Sequence, residues 1–252
     1  MNRSPQVTQS ASSILPTDTQ THSHGMPERV WRGISAPSVT AHCCFSPMHY
    51  ERRYAYPLIV WLHGPKGNEE EIQQVMPLVS ARNYVAIAPR GTRRSNCIRS
   101  AYTWGNSSAD IMDSLERVES CIEVASGQFN IHPERIFLAG YSTGGTLALR
   151  LAMEYPKLVA GAISLGGPVP RGNRPLKRIN EARKLPLMLS VSPGEQYALD
   201  SVMDDLRLLH FAGFSLALRL YPEGDDLTTT MLSDVDRWIL DQCCPTAVTA
   251  NC

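Results

Sequence analysis

One pentapeptide in this sequence combines residue types and spacing that suit nucleophilic catalysis: Gly140-Tyr141-Ser142-Thr143-Gly144. The apolar run before it, residues 136–139, predicts a buried strand, and residues 144–155 after it predict a helix. In this G-x-S-x-G context, small residues allow a strained strand-to-helix turn that exposes the serine hydroxyl, and the helix N-terminus favours developing negative charge. A tight structural turn whose serine only caps the helix is the alternative interpretation.

The elements that must position this serine follow from alternating apolar runs and amphipathic stretches. Asn68 is expected to cap an acidic first helical turn at residues 69–71, and residues 30–56 are expected to supply one or two antiparallel edge strands. Strands that alternate with helices predict an α/β fold with a mostly parallel sheet and helices on both faces. The predicted strands are 58–62, 84–88, 136–139, 159–165, 187–191 and 215–221, and the predicted helices are 109–126, 144–155, 199–211 and 229–242.

Composition narrows the class of protein. The chain has 252 residues, of which 43% are hydrophobic, and its 24 Lys+Arg balance its 24 Asp+Glu. This length and hydrophobicity predict one globular α/β domain, and zero net charge argues against nucleic acid as a partner. The sequence contains no apolar run approaching 18 residues, so we expect no membrane span.

The ends and the cysteines set further expectations. Residues 1–27 are rich in Ser, Thr, Gln and Pro and predict a disordered tail, followed by a domain at 28–245 and a short C-terminal tail at 246–252. Without an apolar leader near the start, we expect a cytoplasmic location. The 7 cysteines contain no C-x-x-C pair, so we predict reduced thiols, no metal site and no cofactor.

Five segments carry a resemblance to a known family: PLIVWLHGPKGNEEE, YVAIAPRG, IHPERIFLAGYSTGGTLALRLAMEYP, LPLMLSVSPGEQ and LRLYPEG. Over residues 30–242 the chain resembles the phospholipase/carboxylesterase family of α/β-hydrolases, which includes the acyl-protein thioesterases. The resemblance implies the α/β-hydrolase fold and hydrolysis of carboxylic esters or thioesters by a Ser-Asp-His triad. It also implies that Ser142 is the nucleophile and that Thr143 supplies one oxyanion N–H.

Three positions depart from the family pattern. The family's acid falls on Gly194, with Glu195 next to it as a substitute acid, and the family's histidine falls on Asp226. The chain has no histidine after His210. A carboxylate is a weak base toward a hydroxyl and would repel the oxyanion. The second oxyanion donor falls on Pro65, which has no N–H.

One histidine remains as a candidate base. His63 follows the strand at 58–62 and is expected at the same edge of the sheet as Ser142, where fixing its loop by hydrogen bonds is the other role considered. His132 and His210 are expected at the opposite edge, because each precedes a predicted strand.

Two loops carry a local excess of basic residues, although the net charge of the chain is zero. Residues 90–99 contain four basic residues and no acid, and residues 171–184 contain six basic residues and one acid. We predict that both loops lie on the Ser142 side, either as solvated loops or as a site where Arg93 and Arg178 hold an anionic ligand. Trp104 either lines the mouth of that site or packs in the core.

Two functional interpretations therefore stay open. The first is a serine esterase or thioesterase with a rearranged acid and base. The second is an inactive member of the fold that binds a small molecule or a protein. The expected partner is accordingly a small-molecule ester, a thioester or an anionic ligand.

Overall fold

A computed structural model describes residues 41–95, 98, 100–172, 177–191, 199–222 and 227–244. The tail predicted at residues 1–27 lies outside these residues, and the predicted domain boundaries stay predictions. Within the described residues the strands are β1 His42–Phe45, β2 Tyr56–Leu62, β3 Val85–Pro89, β4 Arg93–Arg94, β5 Tyr102–Thr103, β6 Ile131–Tyr141, β7 Gly161–Leu165, β8 Pro186–Val191 and β9 Ser215–Leu220. The α-helices are α1 Ile72–Val79, α2 Ser108–Gln128, α3 Thr143–Glu154, α4 Ile179–Ala182, α5 Leu199–Phe211 and α6 Thr229–Cys243.

Seven of the described strands form one sheet in the order β1-β3-β2-β6-β7-β8-β9. All neighbours in it are parallel except β1, which pairs antiparallel with β3. The predicted α/β class and mostly parallel sheet are therefore confirmed. The carboxyl ends of the parallel strands share one edge, which is where ligands bind in open α/β sheets.

Strand β2 shows how the core is divided between the two faces of the sheet. All seven of its residues are buried. Leu58, Val60 and Leu62 belong to one hydrophobic cluster, whereas Ile59 and Trp61 belong to the other. Because side chains alternate across a strand, a continuous apolar run is what a strand covered on both faces requires.

Local signals set the helix starts. Asn68 accepts a hydrogen bond from the Glu70 N–H at the start of a 3-10 turn, Glu69–Glu71, as the sequence predicts. Ser107 and Asp110 form a capping box at the start of α2. Among the helices that the structure describes, none is both long enough and apolar enough to cross a bilayer.

The structure adds elements that the sequence does not predict. The short β4–β5 hairpin and the four-residue α4 are too brief to produce a periodic pattern. Strand β6 begins five residues before its predicted start, because Ile131 pairs with Tyr56 before a register shift. Region 30–56 supplies one described edge strand, β1.

Candidate active site

Ser142 occupies a sharp turn between β6 and α3. Its backbone lies at φ 49 and ψ −116, a region that non-glycine residues rarely adopt. The turn is held from both sides, because the Ser142 N–H donates to the Leu165 carbonyl at 2.8 Å and the Thr146 N–H donates to the Ser142 carbonyl at 3.0 Å. The side chain is half-buried and makes no capping hydrogen bond. Ser142 is therefore the N-cap residue of α3 by position, but its hydroxyl does not cap the helix.

The two motif glycines are required by the packing of this turn. A methyl group on Gly144 would lie 2.1 Å from the Leu62 carbonyl oxygen and 2.5 Å from the His63 carbonyl oxygen. A methyl group on Gly140 would lie 2.5 Å from the Gly144 carbonyl carbon. The start of α3 therefore packs directly on the backbone at the end of β2. This contact brings Ser142 next to the loop that begins at His63.

That loop is a tight turn. The Gly67 N–H donates to the Gly64 carbonyl at 3.2 Å, with Pro65 and Lys66 between them, and Lys66 adopts φ 63. Pro65 followed by a positive φ is the pattern of a type II turn. A methyl group on Gly64 would lie 2.5 Å from the Tyr141 ring, so the turn abuts the residue before Ser142.

The oxyanion positions differ in what they offer. Thr143 is the first residue of α3 and is exposed, so its N–H belongs to the positively polarised end of that helix. Pro65 is exposed in the turn and has no N–H to donate. Of the two positions that the family resemblance implies, one is thus able to donate a backbone hydrogen bond.

His63 is fully buried, and both of its ring nitrogens are engaged. The Gly91 N–H donates to Nε2 at 3.0 Å, so Nε2 is an acceptor and the proton lies on Nδ1. Nδ1 then donates to the Gly64 carbonyl at 2.9 Å. Burial lowers the pKa of His63 and keeps the ring neutral. The candidate role of His63 as the base is therefore wrong in this geometry, and its hydrogen bonds fix the turn instead.

Comparison with known proteins agrees with this geometry. The model of a family described as phospholipase/carboxylesterase matches residues 98–197, a stretch that contains the Ser142 turn. A probable carboxylesterase of Oryza sativa subsp. japonica is 34% identical over 134 residues, which cover 51% of this chain and 49% of that protein. Over residues 98–197 the chain is thus similar to the phospholipase/carboxylesterase family.

The chain is similar to two further proteins, one of which has a solved structure. The crystal structure of SOBER1 from Arabidopsis thaliana matches with a TM-score of 0.62 at 21% identity, covering 75% of this chain and 100% of that one. A probable inactive carboxylesterase of Oryza sativa subsp. japonica is 24% identical over 135 residues, which cover 52% of this chain and 54% of that protein. This chain thus spans about half the length of each of the two rice relatives.

The other described histidines lie away from Ser142. His132 is near the start of β6, about 30 Å along the strand from its end. His210 is in the last turn of α5, which leads to the start of β9 at that same far edge. His42 is on β1, three strands from β6, or about 14 Å. His49 is exposed before β2.

Glu195 and Asp226 lie outside the described residues and stay predictions.

Trp104 is buried in the core, with 6% of its surface exposed. Its indole Nε1 donates to the His63 carbonyl at 2.9 Å, and the centroids of the two rings are 4.9 Å apart. Trp104 therefore packs beneath the turn that begins at His63. Of the two roles considered for it, the structure supports packing and not the lining of an open mouth.

Two arginines of the first basic loop are paired with acids from elsewhere in the chain. Arg93 binds Asp110 through two hydrogen bonds of 2.9 and 2.6 Å. This guanidinium, together with Ser107, lowers the pKa of Asp110 to about 2. Arg90 forms a bidentate ion pair with Glu69. Carboxylates of this chain therefore engage Arg90 and Arg93, and an anion site at Arg93 stays a prediction.

Arg178 of the second basic loop is exposed and lies over the Tyr155 ring, 5.9 Å from its centroid. Tyr155 follows the end of α3, whose 12 residues extend about 18 Å from its start beside Ser142. The structure thus places Arg178 near the end of α3 that is far from Ser142.

Sequence reasoning missed one acid beside the turn. Trp61 Nε1 donates to a Glu71 carboxylate oxygen at 2.8 Å, and the Gly64 N–H lies 3.4 Å from both carboxylate oxygens. Burial raises the pKa of Glu71. The only sequence signal was the acidic run at 69–71, which indicates a helix start and not a contact. Across the described part of the chain, no group of three His, Cys, Asp or Glu side chains is arranged to hold a metal ion.

Proposed function

We propose that this chain binds small carboxylic esters or thioesters at Ser142 and that Ser142 can be acylated by them, with slow hydrolysis. The observation that carries the proposal is the Ser142 backbone at φ 49 with a side chain free of any capping bond. Such a turn holds the hydroxyl toward solvent at the carboxyl edge of the sheet, and a strained conformation of this kind is typical of functional sites.

The residues present support part of the reaction. Attack by Ser142 Oγ on a carbonyl carbon forms a tetrahedral oxyanion, which the Thr143 N–H and the N-terminus of α3 would stabilise. Solvent water accepts the Ser142 proton. Cleavage of the bond between the carbonyl carbon and the alcohol or thiol, which leaves with a proton from water, then gives an acyl-serine. Pro65 removes one oxyanion donor, a change that typically lowers the rate by about 10²–10³.

Removal of the proton from the Ser142 hydroxyl is the step that the described residues support least. With His63 engaged at both ring nitrogens, the described residues supply no imidazole to accept the Ser142 proton. Positioned general bases typically contribute about 10²–10⁴ in rate. We therefore expect acylation by reactive esters and very slow turnover. Glu195 stays the candidate acid, and Asp226 stays the position of the family's histidine.

A second function is favoured by the engagement of both His63 ring nitrogens and by the missing N–H at Pro65. The chain would then be an inactive binding module that keeps the cleft of the fold but not its chemistry. One of its relatives is named a probable inactive carboxylesterase, which fits this alternative.

Reaction with a fluorophosphonate probe separates the two functions. The purified protein and Ser142→Ala are incubated with the probe, and labelling is measured by intact mass. Labelling of the wild type alone supports an activated serine. An unlabelled wild type contradicts the hydrolase proposal and favours the binding module.

A repair experiment tests which losses limit turnover. Gly194→Asp, Asp226→His and Pro65→Leu are combined, with Asp225→His as a parallel choice for the histidine, and hydrolysis of a short-chain aryl ester is followed. The same changes on Ser142→Ala give the background. A gain that depends on Ser142 supports the assignment of these positions, and no gain contradicts it.

The cytoplasmic location, the reduced thiols and the absence of nucleic-acid binding stay predictions. Small-molecule esters are the partners we propose.

A further inference from the structure

A cleft of ≈270 Å³ lies at the edge of the sheet opposite Ser142. Its lining includes Tyr56 at the start of β2, Tyr84 just before β3 and Cys243 at the end of α6. The seven residues of β2 separate this edge from the Ser142 edge by about 20 Å. The cleft is therefore distinct from the candidate active site.

Two guanidinium groups line this cleft without an acidic partner among the residues that the structure describes. Arg82 is exposed and Arg135 is half-buried, and neither forms an ion pair or a side-chain hydrogen bond with any residue that the structure describes. Arg90, Arg93 and Arg171 are all paired with carboxylates. Within the described part of the chain, Arg82 and Arg135 therefore keep hydrogen-bonding capacity for another group.

The other polar groups of the cleft compete little for these cations. The Tyr84 hydroxyl and the Asn83 amide both donate to Asp236 Oδ1, at 2.8 and 3.0 Å, which engages that carboxylate. Burial raises the pKa of Cys243, so its thiol is neutral at pH 7. Glu51 lines the cleft, but its carboxylate is not within ion-pair distance of either guanidinium. The described residues that line the cleft therefore carry two guanidinium groups and one carboxylate, that of Glu51.

The remaining wall is aromatic. Tyr56 and Tyr84 are buried, and Tyr54 packs edge-on against Tyr56 with ring centroids 4.7 Å apart. Tyr54 is 49% exposed, so part of its ring faces the cleft and the solvent. An aromatic ring in the same cleft as two guanidinium groups suits a ligand with a flat apolar body and an anionic end.

We propose that this cleft is a second ligand site, which binds a small aromatic anion such as an aryl phosphate or an aryl carboxylate. Arg82 and Arg135 bind the anionic group, and Tyr54 packs against the ring. The site is independent of the ester chemistry proposed at Ser142, so the failure of either proposal leaves the other intact.

Phenyl phosphate is the probe for this site, measured by calorimetric titration or by NMR shifts on Ser142→Ala protein. The test variants are Arg82→Gln, Arg135→Gln and the two combined. Arg207→Gln is the matched control, since Arg207 is an exposed arginine elsewhere on the surface. We expect each test variant to bind roughly tenfold more weakly or worse, because each removes a charge-assisted hydrogen bond, and we expect the control to bind like the parent.

The ligand class is tested with inorganic phosphate and phenol. Both should bind at least tenfold more weakly than phenyl phosphate, since each offers only half of the recognised chemistry. Raising the ionic strength should also weaken binding to the unmodified protein, a measurement that needs no folded variant. Absence of saturable phenyl phosphate binding, or equal affinity in the double variant and the Arg207→Gln control, would overturn the proposal. Equal affinity for inorganic phosphate would overturn the aromatic part.

Discussion

Replacement of Gly144 by alanine is the sharpest test of how the Ser142 turn is held. The added methyl group would lie 2.1 Å from the Leu62 carbonyl oxygen and 2.5 Å from that of His63. Ordinary contacts of this kind are about 3.4–4 Å. Both neighbours are backbone atoms at the end of a buried strand, so the strain cannot be relieved by rotating a side chain. Strand β2 and helix α3 must separate by more than an ångström.

The expected cost follows from this geometry. Overpacking a well-packed core typically costs 1–3 kcal/mol, and a clash with two carbonyl oxygens should reach about 3 kcal/mol or more. Gly127→Ala is the matched control, because its added methyl group meets nothing within 4 Å and the residue lies in helix α2. Alanine is favoured over glycine in helices, so the control should raise the free energy of unfolding by up to about 1 kcal/mol.

Urea denaturation gives the free energy of unfolding of both variants, and fluorophosphonate labelling reports the Ser142 turn. We expect Gly144→Ala to lose stability and, if the wild type labels, to lose labelling, whereas Gly127→Ala loses neither. A Gly144→Ala protein as stable as the Gly127→Ala control would refute the close packing of α3 on β2 and with it our account of the turn.

Three further predictions concern residues around the site. Burial lowers the pKa of His63 below its ordinary value of 6.5, so the unfolded chain binds a proton more readily than the folded chain. The free energy of unfolding should therefore fall as the pH is lowered through 6.5, by up to about 1.4 kcal/mol per pH unit. Urea titrations at pH 7.5 and 5.5 measure this fall, which should be smaller in His63→Gln than in the wild type. The carboxyl of Asp110 should titrate near pH 2 by NMR and at higher pH in Arg93→Gln; an unchanged titration would contradict the ion pair. Pro65→Leu should raise the rate of Ser142 labelling, because it restores a backbone N–H, and an equal rate would mean that this N–H points away from the site.

Much of the fold was predictable because local patterns are strong where burial is complete. Strand β2 reads as an apolar run because both faces of the sheet are covered, and the sequence around Ser142 predicts its strand-to-helix turn. The start of β6 was missed because Ile131 joins the sheet through a register shift, which leaves no periodic signal.

The electrostatics of the loops was not predictable in the same way. Residues 90–99 contain no acid, so the loop looks strongly basic in the sequence. Two of its arginines, Arg90 and Arg93, bind Glu69 and Asp110, which lie 21 and 17 residues away along the chain. Charge that is balanced across such separations depends on the packing of the sheet and its helices, and not on composition within a window.

The sequence by itself determined the α/β class, the position of Ser142 and the loss of the N–H at Pro65, since each depends on residue type and near neighbours. Only the tertiary structure decided that His63 is engaged at both ring nitrogens and that Trp104 packs beneath the turn. The physical reason is that Gly91 and Trp104 reach His63 through hydrogen bonds across 28 and 41 residues of chain. Whether a histidine is a base or a support depends on such partners, which the fold alone brings together.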